Sequence, residues 1–269
     1  MKAAAVSVSL SGQSRSRAAR LLLAAIALII VVWTLAPAMP QDQRYHEFAD
    51  RHAWGNIPHG ANVLSNLPFA LIGIVGVARL LSRRRAHFKP ATIAGMWLVA
   101  LGIIGTALGS TWYHLNPTDA TLVWDRLPMT IVFAGVLGAA IAQRLGNDFG
   151  YWTLALLAPL GVFSVAHWAR TGDLSLYLAL QFGGIATLAV LLVVARDRSD
   201  PIPWLWVIVF YAAAKVAEAA DAAVWDATGG LVAGHAIKHL LAAFAVAAVL
   251  WPLRSRYAGD RPRDARRAS

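Results

Sequence analysis

Long apolar runs broken by short polar connectors dominate the chain. Eight such runs are read at about 20–38, 61–81, 91–113, 122–142, 150–168, 174–195, 203–222 and 233–252. Each is close to the ~20 residues that a helix needs to cross a bilayer. The connectors carry turn residues: Pro90, Asn116-Pro117, Gly146-Asn147, Gly172-Asp173, Pro201 with Pro203, and Gly229-Gly230. No long linker and no change of composition regime interrupts them. The pattern predicts an all-α, polytopic transmembrane bundle, with a seven-helix core and one extra N-terminal helix.

Composition agrees, with 58% of residues hydrophobic and only 14% charged. Cysteine is absent, which excludes disulfides and thiolate chemistry. The net charge of +10 would suit a nucleic-acid surface, but its distribution makes it a topology signal. Eighteen of the 24 cations fall at the termini and in alternate connectors: Lys2 to Arg20, Arg79 to Lys89, Arg144, Arg196 with Arg198, and Arg254 to Arg267. The opposite connectors hold four: Arg44, Arg51, Arg126 and Arg170. The positive-inside rule then predicts both termini in the cytoplasm and the poorer connectors outside.

Residues 1–44 form an N-terminal cytoplasmic segment and the extra helix, 45–253 the core, and 254–269 a basic, disordered cytoplasmic tail that anchors topology. The first run has two readings. It is an uncleaved signal-anchor helix, or a signal peptide whose cleavage site is Ala36-Pro37-Ala38. Heavy use of Ala and Arg points to a high-GC bacterium, hence to the plasma (inner) membrane and a periplasmic outer face.

Against that frame, five polar residues fall at one face. Ser110 and His114 are i, i+4 at the outward end of the third run, and Asp125 opens the fourth. His235 and His239 are again i, i+4, at the start of the eighth. Ionisable groups at membrane depth are costly and are functional by default. Three neutral imidazoles suit zinc, and three protein ligands with one open position is the catalytic arrangement. Zinc so held makes water acidic near neutral pH. Asp125 is then the general base and acid, and Ser110 the donor to a carbonyl oxygen under attack.

Other polar residues have plainer roles. His167, alone on its segment, reads as packed, His46, His52 and His59 as solvated loop histidines, and His87 as a residue of a basic inward loop. Glu218 and Asp221, with Lys215, are either supports that orient histidine ligands or a charge network joining the last two helices. Lys238 falls between the paired histidines but on another face.

Ser-x3-His-x10-Asp with a distal His-x3-His resembles the alkaline ceramidases, members of a seven-helix membrane hydrolase superfamily that includes the adiponectin and progestin receptors. Asn62-Val63-Leu64-Ser65-Asn66-Leu67 resembles the Asn-x2-Ser-Asn stretch of that family's first core helix. Gly234-His235-x2-Lys238-His239 resembles the terminal motif of its bacterial members. The resemblance covers about 45–252. It implies a zinc amidase that cleaves the N-acyl bond of ceramide-like membrane lipids to a sphingoid base and a fatty acid. His114, His235 and His239 would bind zinc, Asp125 would be the acid/base and Ser110 the oxyanion partner.

The acidic calcium-binding cluster of eukaryotic members is thinned here to Glu47 and Asp50. Asp50, Asn56 and Asn62 remain as oxygen donors, and pairing of Asp50 with Arg51 is the plainer reading. The same fold hosts receptors, so a lipid-sensing protein with a structural zinc is the alternative. A serine protease centred on Ser110 lacks a Gly-x-Ser-x-Gly elbow, since Ser110 follows Leu108-Gly109. A haem-binding carrier is a third option for the paired histidines.

Overall fold

The computed structural model describes residues 37–82, 88–196 and 200–254, with scattered positions between 20 and 35. The expected first span therefore lies largely outside the described residues, as do Arg83 to His87, Arg198 and most of the basic tail. Among the described residues there is no β-strand, only two isolated bridges. Six helices or helix pairs are long and apolar enough to cross a membrane.

The helices are α1 (Gly60–Leu64), α2 (Leu67–Leu81), α3 (Pro90–Leu115), α4 (Asp119–Leu145), α5 (Asn147–Thr171), α6 (Ser175–Val194), α7 (Trp204–Ala219), α8 (Asp221–Ala227) and α9 (Gly234–Leu250). Two differ from the apolar runs. The run at 61–81 breaks at Ser65-Asn66, so that α1 and α2 together make one span. The run at 203–222 ends early, because α7 has 16 residues and the chain turns at Ala220 into α8. On length alone α7 falls short of a span, so the described residues hold six such helices rather than seven.

Helices within a bilayer gain little from burying apolar surface against one another, and close backbone approach takes that place. Gly95, Gly102 and Gly109 recur every seven residues and line one face of α3. A Cβ at Gly95 would fall 2.6 Å from the Gly135 carbonyl, and one at Gly135 would fall 2.6 Å from the Gly95 carbonyl. Gly102 packs against Val132, and Gly109 against the carbonyl of Trp124. Pro128 inside α4 has no N–H to give that carbonyl, which is left to press on Gly109. This seam sets Ser110 of α3 beside Asp125 of α4.

The far end of the bundle is closed by cations that cap helix C-termini, where the helix dipole favours them. Lys89 donates to the carbonyls of Ala142 (3.0 Å) and Gln143 (2.6 Å). Arg144 donates to the Ala195 carbonyl at 2.6 Å and pairs with Asp200 at 3.4 Å. These two basic residues are built into the packing, not simply solvated in connectors.

Candidate metal centre

His114 ends α3, while His235 and His239 lie on the first turns of α9. Their ring centroids are 4.9, 5.0 and 5.0 Å apart, and one ligand atom from each lies within 4.8 Å of the others. All three are buried. Among the described residues this is the one group of three or more His, Asp or Glu side chains placed to share an ion. Neither nitrogen of His114 has a hydrogen-bond partner. A buried imidazole with both nitrogens unpaired is expensive, so the donor set suits a metal ion.

His239 carries its own orientation signal. Its Nδ1 lies 2.7 Å from the Ser65 hydroxyl. The Ser65 hydroxyl donates to the Asn62 backbone carbonyl at 2.8 Å. Ser65 has no second proton to give, so Nδ1 carries the hydrogen. Nε2 is thereby the nitrogen with a free lone pair. The break at Ser65-Asn66 thus puts a hydroxyl behind a histidine 174 positions away.

Ser110 and Asp125, both buried, meet as expected: the Asp125 carboxylate accepts a side-chain hydrogen bond from Ser110. Together with His239 they line a cavity between the helices. Its remaining wall is mostly apolar, with Phe69, Ile103, Met129, Val132, Leu188 and Val246 among the lining residues. The polar residues from α3, α4 and α9 occupy the histidine end, and the apolar ones continue down the bundle.

The segment before α1 closes the other side. Phe48 is buried, with its ring 4.7 Å from that of His114 and 4.6 Å from that of His235. Several bonds stitch the segment down. Ala49 N–H donates to Asp221 (2.9 Å). His46 bonds Tyr113 Oη (2.9 Å) and Asp119 (3.1 Å). Gln41 accepts from Arg126 (2.6 Å), whose guanidinium lies 4.3 Å from the Trp168 ring. Tyr45 donates to Glu218 at 3.0 Å. Burial, and next the Glu218 charge, hold the Tyr45 hydroxyl well above its ordinary pKa, so it remains a donor.

Several sequence readings change. His46 and His59 are tied into this cover and not merely solvated, His59 meeting the Asp50 carbonyl at 3.2 Å. Asp50 pairs with His52 (3.1 Å) rather than Arg51, which instead donates to the Phe48 carbonyl. Glu47 is exposed, and both polar ends of the buried Asn62 amide lack partners. His167 stands outside the centre, 3.6 Å from Asp173 and stacked on Phe163. His87 lies outside the described residues.

Lys238 does face the site. It lines the cavity, with Nζ 3.4 Å from His235 Nε2 and 2.8 Å from Glu218. Its i, i+3 relation to His235 and its long stem allow this reach. Glu218 also pairs with Lys215. Asp221 accepts the His235 backbone N–H at 2.7 Å. These carboxylates bind lysines and backbone, so the charge-network reading describes them better than support of imidazole nitrogens.

Sequence reasoning assigned no role to Phe48 and none to the Ser65 hydroxyl. The Asn-x2-Ser-Asn stretch contained the second, but only the fold shows its partner. Among known proteins, no family model, curated sequence or solved structure matches this chain.

Proposed function

We propose that this protein is an intramembrane zinc-dependent amidase of the alkaline ceramidase kind, acting on the N-acyl bond of ceramide-like lipids. One observation carries the reading: a buried three-histidine group shares, through His239, an apolar cavity with the Ser110–Asp125 pair. An apolar pocket with few convergent polar groups is the usual form of a small-molecule site. His114, His235 and His239 would hold the ion, and zinc there would supply an acidified water and a polarised carbonyl.

The protein groups then have definite tasks. Asp125 takes the proton of the attacking water as its oxygen bonds to the acyl carbon. As Asp125 becomes protonated, it ceases to hold the Ser110 hydrogen, which turns to the developing oxyanion. Asp125 next delivers its proton to the amide nitrogen. The C–N bond breaks, leaving a fatty acid and a free amine. Phe48 keeps bulk water from the histidines, and the cavity admits the lipid from the bilayer side. The charge asymmetry of the connectors supports a centre at the outer, periplasmic face with both termini inside.

Metal analysis of detergent-purified protein, paired with hydrolysis of a fluorescent-acyl ceramide before and after chelation, tests the reading. About one zinc per chain and chelator-sensitive fatty-acid release are expected, and both should be lost in His239→Ala. Turnover by a zinc-free His239→Ala protein would overturn it. The cover formed by Phe48 favours a second reading, a lipid-binding receptor with a structural zinc. Zinc retention with no hydrolysis of any acyl amide would select it.

A further inference from the structure

The cavity wall carries a second polar station away from the metal end. Gln181 of α6 and Tyr211 of α7 both line it, and the Gln181 amide nitrogen lies 2.6 Å from Tyr211 Oη. This single bond leaves more than half of the pair's capacity unused. If the amide donates to Tyr211, its second N–H, the Tyr211 O–H proton and the Gln181 oxygen are left over. If the amide is flipped, its NH₂ and the tyrosine oxygen are left over. Either way at least one donor and one acceptor remain side by side, and among the described residues neither group has another partner. Thr106, also on the wall, gives its hydrogen to the Gly102 carbonyl at 3.0 Å and adds nothing to the station. Phe133, 6.2 Å from the Tyr211 ring, and Val207 keep the surroundings apolar.

A group that both donates and accepts would complete the station, and a hydroxyl is the smallest that does. Its position follows from α7. Tyr211 precedes Glu218 by seven residues, about 10 Å along a helix, and Glu218 reaches the histidine end through Lys238. We propose that Gln181 and Tyr211 are specificity-determining residues for a hydroxyl carried in mid-chain by the lipid, set back from the scissile amide. This rests on the amidase reading for the position of the amide. Recognition of the hydroxyl does not depend on turnover.

The test is displacement of a fluorescent fatty-acyl probe from the detergent-solubilised full chain. Three amides of one chain length are compared: one without a chain hydroxyl, one hydroxylated beside the amide, one hydroxylated in mid-chain. The mid-chain hydroxyl should improve displacement about tenfold over the other two. Gln181→Leu and Tyr211→Phe should erase that preference, with thermal unfolding showing that both variants are folded. Equal displacement by all three amides in the unaltered protein would overturn the proposal. So would a preference surviving both variants, or a hydroxyl best placed beside the amide. If the variants weaken all amides alike, the pair is only a bond between helices and the proposal also fails. Hydroxyl preference without hydrolysis would count against the amidase reading alone, and hydrolysis without preference against the station alone.

Discussion

The Ser65 hydroxyl lies 2.7 Å from Nδ1 of His239, and its own proton goes to the Asn62 carbonyl. Support of this kind behind a metal-binding imidazole contributes about 10- to 100-fold in affinity. Ser65→Ala should therefore weaken divalent-metal binding by that range in a chelator competition, and Ser65→Thr, which restores the hydroxyl, should recover most of it. Equal affinity in all three proteins would show that the contact does not govern the histidine.

Phe48 covers two of the three rings. Phe48→Ala should lower stability by about 3–5 kcal/mol, the usual result of emptying a buried aromatic site. The sharper outcome is kinetic: chelators should strip metal faster from Phe48→Ala at unchanged equilibrium stoichiometry. Thermal unfolding and a stopped-flow chelation trace measure the two effects.

Glu218 is the counter-charge to Lys215 and Lys238, the second of which lies 3.4 Å from His235 Nε2. Glu218→Gln removes the carboxylate that pairs with both ammonium groups beside the three histidines. Breaking a buried pair from one side costs about 3–5 kcal/mol. Melting temperature and divalent-metal affinity should both fall, and adding Lys238→Met should restore part of the affinity.

Asp173 accepts backbone N–H bonds from Met39 (3.0 Å) and Ser175 (2.9 Å), which draw its carboxyl pKa from 3.8 down to about 2. A folded value below the unfolded one stabilises the fold above the unfolded pKa and ceases to do so as pH falls through the folded one. The stability gap between the native chain and Asp173→Asn should thus be full at pH 5 and close between pH 3.8 and about 2. Unfolding curves for both proteins across that range check it.

The histidine trio was legible in the sequence because its two halves obey helical spacing and the connector charges place both at one face. Ser110 and Asp125 followed from the same argument. What stayed hidden depends on contacts between distant segments. No periodicity announces that Phe48, in a polar connector, will lie on His114 and His235. The shortness of α7 was equally hidden, since residues 203–222 are apolar throughout except near their end. There Gly234 packs against the Ala217 carbonyl and Asp221 turns toward His235 and Ala49, and the helix stops. Lys238 was misplaced because residue angles around a helix do not account for a four-carbon stem.

The glycine row on α3 has a consequence for how much alteration the protein tolerates. Gly95, Gly102 and Gly109 hold α3 on α4 over four turns, so the registration of Ser110 with Asp125 belongs to the whole seam and not to the connector at 116–118. A residue inserted in that connector should leave the pair aligned. A single methyl at Gly109 would drive a wedge between two rods whose spacing sets how closely Ser110 and Asp125 can meet.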